Sequence, residues 1–445
     1  MGKENIEKHS ARYALLKKVS GFWHNKVFYR KIIVVGRENI DPDHHLIYAP
    51  NHQNALLDAL AVLYTTKGQL VFLARADIFK KKIIASLLYF LKILPVYRIR
   101  DGYSSLKAND EIFRKTLDVL KNRNGLVILP EGDHAGFRRL RQLKKGICRV
   151  AFQADEAFDF QMKIKIIPVG LEFSNYSRFR QVLTVVYGKI IEVSDYHEMY
   201  RTSPEKAFNE LRKRLSDEMK KLIVHIESEK DYEAIDELRS IINGRYSDDI
   251  RNPKLFRDRE LINKLNRLKE SGSPLYSKIC SLSMEVKRKV KKLKTSYMLI
   301  EKKKHPVGIL LAGIAGLILT FPLYLFGNIF TLTFLAIPEL QIRKIKDLQF
   351  HGSVRFGISF MLALIFLPVY LLIALLIIKP WWVGVMISLA IPFAGIFAWN
   401  YIILLKRILG RFRLKKYIRD KDPDYLSLKR NFEELTVLIA QLAHV

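Results

Sequence analysis

The residues with the clearest potential for chemistry lie in residues 49–60, which read APNHQNALLDAL. A predicted strand ends at Pro50 and a helical pattern begins near Asn54, so His52 lies at a strand-to-helix junction, a common place for catalytic groups in α/β proteins. Asp58 lies about one turn into the helix. A carboxylate that holds a neutral imidazole in one tautomer makes it a better base toward a hydroxyl group. The spacing also fits a histidine that caps the helix beside an exposed aspartate.

A second run, residues 128–146, reads ILPEGDHAGFRRLRQLKKG and joins a predicted strand to a basic stretch. Glu131 precedes Gly132, and a glycine there lets backbone amides approach a ligand closely. Cations after the turn have the chemistry to hold a phosphate group, and arginine does so with two hydrogen bonds. These cations are Arg138, Arg139, Arg141, Lys144 and Lys145. Taken alone, the run favours a turn followed by a solvated basic helix.

Two further runs are weaker signals. Residues 92–101 read KILPVYRIRD and end in Arg98 and Arg100, which would suit either a phosphate site at a strand end or ordinary surface charge. Residues 166–173 read IIPVGLEF, an apolar strand that Pro168 interrupts, and they indicate a structural role.

The elements that must position these residues follow an α/β pattern over residues 31–228. Short apolar runs rich in β-branched residues alternate with helical patterns, which predicts a largely parallel sheet flanked by helices. The strand-like runs are residues 31–36, 45–49, 69–74, 126–129, 164–169 and 182–187, and the helical patterns are residues 54–66, 79–91, 106–122, 145–156 and 204–228. Residues 1–30 include an amphipathic helix that would lie in a membrane interface or pack on its own domain.

The remainder divides into a basic helical extension (229–305), an apolar region (306–405) and a basic tail (406–445). Residues 308–338 carry no charge, but one straight helix of that length would measure roughly 46 Å against a hydrocarbon core of about 30 Å. Pro322 and Asn328 interrupt this stretch, so we predict two shorter helices folded as a hairpin. A second predicted hairpin joins residues 356–378 and 381–405.

Charge indicates the side of the membrane and the kind of partner. The formal net charge of +31 calls for an anionic partner, and the apolar region favours lipid headgroups and phosphorylated substrates over nucleic acid. All flanks of the apolar segments are basic, which predicts an even number of crossings and an α/β domain in the cytosol, at a bacterial inner membrane or the endoplasmic reticulum. Cys148 and Cys280 predict no disulfide framework, and we find no metal-ligand cluster in the sequence.

In their order and spacing the four runs resemble the four sequence blocks of the glycerolipid acyltransferase superfamily, which includes glycerol-3-phosphate and 1-acylglycerol-3-phosphate acyltransferases. The resemblance covers roughly residues 30–195. It implies a His–Asp charge-relay pair at His52 and Asp58, and binding of the phosphorylated acceptor by the second and third blocks. The residues that match those two blocks are Arg98, Pro130, Glu131 and Gly132, and Pro168 matches the fourth block.

This chain departs from the common pattern in two places. Five residues separate His52 from Asp58 where the family usually has four. Asp133 and His134 stand where a Thr-Arg pair is common, so Arg138 or Arg139 would have to supply the missing arginine. Both departures resemble the fungal-type membrane glycerol-3-phosphate/dihydroxyacetone-phosphate acyltransferases and their bacterial relatives.

The resemblance implies direct acyl transfer from an acyl thioester, either acyl-CoA or acyl-carrier protein, with no further cofactor. We see no Gly-x-Ser-x-Gly nucleophile elbow. For the His–Asp pair to meet across five residues, we predict that the helix starts after His52 and that the ring turns back to the carboxylate. The alternatives are an O-acyltransferase for another lipid, such as a lyso-aminolipid, and a non-catalytic basic scaffold that binds anionic lipid.

Overall fold

The computed structural model describes residues 5–41, 44–97, 104–244, 249, 251–301 and 307–442, apart from the side chains of residues 104–109. It divides into two compact units. The N-terminal unit comprises Met1–His225 together with Asp347–Ser353, and the C-terminal unit comprises Ile226–Lys346 and Val354–Val445.

The N-terminal unit is built on an eight-stranded sheet. Its strands are β1 Lys31–Val35, β2 Leu46–Pro50, β3 Val71–Arg75, β4 Ile93–Val96, β5 Leu126–Val127, β6 Lys165–Phe173, β7 Val182–Tyr187 and β8 Ile191–Glu192. They lie in the order β1-β7-β6-β2-β5-β3-β4, with β8 beside β6. Only the pairs of β6 with β7 and with β8 are antiparallel among the described strands. The predicted largely parallel sheet is confirmed.

Helices flank this sheet and share its core. They are α1 Ala11–Phe22, α2 Leu56–Thr65, α3 Lys82–Phe90, α4 Ser104–Lys121, α5 Gly146–Glu156, α6 His197–Thr202 and α7 Pro204–Lys220. Ile47 of β2 and Leu126 of β5 share one buried apolar cluster with Phe152 of α5 and Leu211 of α7. Strands β2 and β7 are buried along their whole length, and nearly all of their residues are apolar because both faces of the sheet are covered.

The predicted amphipathic helix begins at α1 and continues as a π-helical turn, Trp23–Phe28. One side packs on its own unit: Tyr13 is buried against Phe90 at a ring-centroid distance of 6.4 Å. The other side leaves Leu15, Val19 and Phe22 exposed. The helix therefore packs on its own domain and also presents an apolar face outward.

The C-terminal unit is helical in the part of the chain that the structure describes. Its helices are α8 Tyr232–Ile242, α9 Lys254–Glu270, α10 Pro274–Lys292, α11 Tyr297–Glu301, α12 Val307–Leu319, α13 Phe321–Phe330, α14 Ile337–Ile342, α15 Gln349–Ile377, α16 Trp381–Arg419 and α17 Pro423–Gln441, of which α15 begins in the N-terminal unit. Three stretches are long and apolar enough to cross a membrane: Phe321–Ile342, Gln349–Ile377 and Trp381–Arg419. Helices α15 and α16 run antiparallel, with Gly384 against Ala374 and the Ser388 hydroxyl donating to Tyr370 O.

Residues 308–338 contain two shorter helices, as predicted, but α12 and α13 do not fold back on each other as a hairpin requires. Helix α12 meets α16 near Ile408, where Gly313 packs, and the Tyr401 hydroxyl donates to Leu317 O. Helix α13 then meets the preceding part of α16, with Gly327 against Ala394. The two helices therefore follow each other along α16 in one direction.

The predicted helix breakers act differently from expectation. Pro322 occupies the first turn of α13, where a proline is tolerated because the missing N–H needs no partner. Asn328 lies inside α13 and donates from Nδ2 to Tyr324 O at 2.9 Å, so its side chain is satisfied within the helix. The break falls at Thr320, and it does not reverse the chain.

Candidate active site

The loop that carries His52 is clamped to the neighbouring strand. It follows β2 at the carboxyl end of the parallel strands, where α/β proteins commonly place their ligands. The Asn51 side chain donates to Leu171 O at 3.1 Å and accepts from Leu171 N at 2.6 Å. Both partners are buried, so this reciprocal pair fixes the start of the loop to β6.

Asp58 organises the rest of the loop. Its Oδ2 lies 2.8 Å from His52 Nδ1 and also accepts the N–H groups of Gln53 at 2.8 Å and Asn54 at 2.7 Å. The carboxylate is fully buried, whereas the His52 side chain keeps 17% of its surface exposed. Nδ1 therefore faces the protein and Nε2 is the ring nitrogen left for a substrate.

The five-residue spacing between His52 and Asp58 is absorbed before the helix. Helix α2 begins at Leu56, after the catalytic candidate, as predicted. Ala55 takes φ 48° and ψ −124°, a conformation that costs a non-glycine residue on the order of 1–3 kcal/mol. A strained backbone persists only where surrounding contacts hold it. At Ala55 those contacts are the three hydrogen bonds that Asp58 accepts from His52, Gln53 and Asn54.

Glu131 joins the His52 loop to the basic run. Its Oε1 accepts the His52 N–H at 2.7 Å, and its Oε2 accepts the Arg141 N–H at 3.0 Å. Burial raises the pKa of Glu131, and these two hydrogen bonds oppose that rise. The turn needs the glycine that follows, since Gly132 has φ 71°. Both Glu131 oxygens are engaged by protein donors, so binding of substrate by Glu131 stays a prediction.

The predicted arginines occupy different environments. Arg138 is buried, pairing through Nε with Glu172 at 2.8 Å and through Nη2 with Phe173 O at 2.8 Å. Arg139 is half-buried. Arg141 Nε lies 3.4 Å from Glu131 Oε2, while its buried Nη2 has no hydrogen-bond partner among the described residues. Arg98 and Arg100 lie outside the described residues.

The His52 loop, Glu131 and the arginines all fall within residues 31–172, which match the family model described as Acyltransferase. This part of the chain therefore matches an acyltransferase domain. The resemblance to glycerolipid acyltransferases is thereby confirmed for this domain.

Two known proteins are similar to parts of this chain. Glycerol-3-phosphate O-acyltransferase 2 of Saccharomyces cerevisiae is 30% identical over 118 residues, which are 26% of this chain and 16% of the yeast protein. The crystal structure of a 1-acyl-sn-glycerophosphate (LPA) acyltransferase from Thermotoga maritima superposes with a TM-score of 0.34 at 17% identity, covering 47% of this chain and 79% of that one. The chain thus spans about a sixth of the yeast relative.

His134, for which the sequence indicates no partner, lies beside the candidate site. His134 lies two residues after Gly132, and its ring centroid is 5.4 Å from that of His52 at an interplanar angle of 67°. The Ala135 N–H points to His52 O at 3.4 Å, which keeps the two loops adjacent. No spacing rule in the sequence indicates this contact, because the residues come from the ends of two different strands.

A second His–Asp pair provides a comparison within the same unit. His197 Nε2 lies 2.8 Å from Asp155 Oδ2, and Asp155 is fully buried. This pair lies at the amino end of β6, where β8 pairs Glu192 with Lys165, so it is at the opposite edge of the sheet from His52. No group of three or more potential metal ligands occurs among the described residues.

Proposed function

We propose that this protein transfers a fatty acyl group from an acyl thioester to a hydroxyl of glycerol 3-phosphate or 1-acylglycerol 3-phosphate, as a step of phospholipid synthesis. The observation that carries the proposal is the His52–Asp58 contact of 2.8 Å, with the aspartate buried and the histidine partly exposed. The name of the yeast relative favours glycerol 3-phosphate as acceptor. The donor is acyl-CoA or acyl-carrier protein, and the reaction needs no further cofactor.

In the proposed reaction each of these side chains has one step. Asp58 Oδ2 accepts the Nδ1–H of His52, which leaves a lone pair on Nε2. Nε2 takes the proton of the acceptor hydroxyl as the oxygen attacks the thioester carbonyl, forming the new C–O bond. The C–S bond then breaks, and the leaving thiolate takes the proton back from Nε2. The buried carboxylate stabilises the imidazolium that exists between these two transfers.

The acceptor phosphate would bind beside the Gly132 turn. Arg141 is held there by Glu131 and has a guanidinium nitrogen that no described protein group satisfies. Lys144 is exposed next to it and packs against Gly132, where a Cβ would lie 3.2 Å from Lys144 Cγ. Two cations around one small turn suit a phosphate dianion. The same role remains proposed for Arg98, Arg100 and Arg139.

The membrane would supply the donor chain and retain the product. Three stretches of the C-terminal unit have the length and composition of membrane spans. In the N-terminal unit, α1 exposes Leu15 and Phe22, and neighbouring α3 exposes Ile83 and Leu87. We propose that this apolar face, with the basic residues around it, rests on an anionic cytosolic leaflet.

The test is an acceptor comparison with purified full-length protein in lipid nanodiscs and radiolabelled acyl-CoA. Glycerol 3-phosphate, dihydroxyacetone phosphate, 1-acylglycerol 3-phosphate and a lyso-aminolipid are compared side by side. The proposal expects a labelled ester with the first or third acceptor. Product with the lyso-aminolipid alone would show that the acceptor is a lyso-aminolipid and not a glycerol phosphate. Absence of product with every acceptor, with acyl-carrier protein also tried as donor, would support a scaffold.

A further inference from the structure

A short segment from far along the chain belongs to the unit that holds His52. Asp347–Ser353 is separated from the rest of this unit by Ile226–Lys346, and it includes the first five residues of α15, where the second of the three apolar stretches begins. The Ser353 hydroxyl donates to Asn54 O at 3.3 Å, within the loop that carries His52. Ser353 is itself buried. The segment is therefore bonded directly to the catalytic loop.

The segment also reaches the catalytic ring through His134. Phe350 meets the His134 ring edge-on, with centroids 4.6 Å apart and an interplanar angle of 84°. Asp347 Oδ2 lies 3.5 Å from His134 Nε2. His134 in turn contacts the His52 ring at 5.4 Å. These contacts form one continuous series from the segment to the His52–Asp58 pair.

A glycine lies on each side of this contact, Gly352 in the segment and Gly136 in the loop after Gly132. A Cβ added at Gly352 would lie 2.6 Å from Tyr176 O and 2.7 Å from Leu57 Cδ1, so no side chain fits without moving the segment. A Cβ at Gly136 would lie 3.1 Å from Gln349 Cγ. Close packing of this kind distinguishes a fixed part of a site from a connecting loop.

We propose that Asp347–Ser353 is a working part of the catalytic site and that His134 is a positioning residue held by it. The His52 ring has one hydrogen bond, at Nδ1, and a second contact is needed to keep it from swinging away from Asp58. His134 supplies that contact through its ring, and Phe350 fixes His134. The start of α15, together with the two residues before it, thus completes the active site. The role in turnover rests on the proposed function.

The first test substitutes Gly352, because a second glycine in the same helix, Gly357, serves as a matched control. A Cβ at Gly357 meets nothing within 4 Å, so Gly357→Val carries the same change in helix propensity without the clash. Both variants are assayed as full-length protein in nanodiscs. Gly352→Val is expected to lower kcat at least tenfold with a smaller change in KM for the acyl donor, and Gly357→Val to match wild type. Wild-type kcat for Gly352→Val would overturn the proposal.

The mode of action of His134 is tested by a pair of substitutions. His134→Ala removes the ring and is expected to lower kcat at least tenfold. His134→Phe keeps an aromatic ring between Phe350 and His52, and we expect it to recover most of the lost kcat. If His134→Phe is as impaired as His134→Ala, the ring nitrogens are what matters, and the positioning role is contradicted.

A disulfide test separates the docked position from the enzymatic activity. Gly136→Cys with Gln349→Cys places two thiols at the contact, and mild oxidation should link them in nearly all molecules, as peptide mass spectrometry would measure. Each single variant is the control for links to Cys148 or Cys280. If the link forms but wild type transfers no acyl group to any acceptor, the proposed function fails and the docking stands. If wild type is active and no link forms, the docking is overturned.

Discussion

At the scale of single residues, one carboxylate oxygen of Asp58 accepts three hydrogen bonds. The His52 ring, Gln53 N and Asn54 N all meet Oδ2, while Oδ1 is buried with no partner among the described residues. An asparagine can therefore place its amide oxygen at Oδ2 and its NH₂ group at Oδ1 without losing a bond. This arrangement separates the charge of the carboxylate from its role in folding.

We expect Asp58→Asn to lower kcat by at least about a hundredfold, because the imidazolium formed during transfer loses its stabilising charge. Thermal unfolding should change little, since the three hydrogen bonds survive. Steady-state kinetics together with Tm in detergent measures both. A variant with full activity, or one that fails to fold, would show that Asp58 is a structural residue.

Arg141 is the cation whose substitution should affect the acceptor alone. Removing a charge-assisted contact to phosphate costs roughly 1.5–3 kcal/mol, so Arg141→Met should raise KM for the acceptor about tenfold or more. KM for the acyl donor should stay within twofold. Arg149→Met, an exposed arginine on α5, is the matched control. Equal effects on both substrates would exclude the phosphate role.

The sequence predicted the contact between His52 and Asp58 but not the contacts of their neighbours. His52 and Asp58 were predictable because a strand end, a helix start and a short spacing are local features. The burial of Arg138 depends on Glu172 from β6, and the contact of His134 with His52 joins two strand ends. Such contacts depend on the order of strands in the sheet, which the sequence pattern does not specify.

At the scale of elements, the turn that follows α1 carries a buried histidine that should make stability depend on pH. His24 is fully buried between Tyr29 and Tyr64, and its burial lowers its pKa to about 4 from the ordinary 6.5. Between pH 6.5 and pH 4, His24 is therefore largely protonated in the unfolded chain but neutral in the folded chain. Stability falls as pH drops through this window, by about 2 kcal/mol at pH 5 and about 3 kcal/mol in full.

His24→Phe should remove this dependence while keeping the ring contacts. The fall in Tm between pH 7.5 and pH 5 should be smaller in the variant than in wild type, because all other titrating groups are shared. Circular dichroism of both proteins in the same detergent makes the comparison. An identical fall in both would show that His24 is protonated in the folded state.

The elements themselves were predicted unevenly for physical reasons. The apolar strands of the sheet were recognisable because burial on both faces leaves continuous β-branched runs. The break in residues 308–338 was expected at Pro322, but a proline in a first helical turn is compatible with the helix, so the chain bends at Thr320 and continues along α16. Composition is enough to identify an apolar segment. The direction in which its helices run depends on how they pack against α16, which composition does not specify.

At the scale of the whole molecule, connectivity limits how the chain meets the membrane. No described helix before Val307 is both long and apolar enough to cross. Because Asp347–Ser353 belongs to the same unit as Met1–His225, we expect residues 307–346 to leave the membrane on the face where they enter it. We then expect α15 and α16 to cross as a pair.

We therefore expect Lys294, Lys346 and Lys416 to lie on one face of the membrane, which we predict to be cytosolic. Each is replaced singly by cysteine in a Cys280→Ser background and labelled with an impermeant maleimide in sealed vesicles. All three should react from the same side. Labelling of Lys346→Cys from the opposite side to Lys294→Cys would show that residues 307–346 cross the membrane, and would also contradict the docked segment.

The central claim is that the His52–Asp58 pair catalyses acyl transfer, and the second His–Asp pair of the same unit allows the most direct test. His52→Ala and His197→Ala each remove a histidine that lies 2.8 Å from a buried aspartate, at opposite edges of one sheet. The measurement is kcat for labelled acyl transfer to glycerol 3-phosphate or 1-acylglycerol 3-phosphate in nanodiscs. The account predicts that His52→Ala abolishes turnover and that His197→Ala retains it. Turnover that survives in His52→Ala would contradict the account.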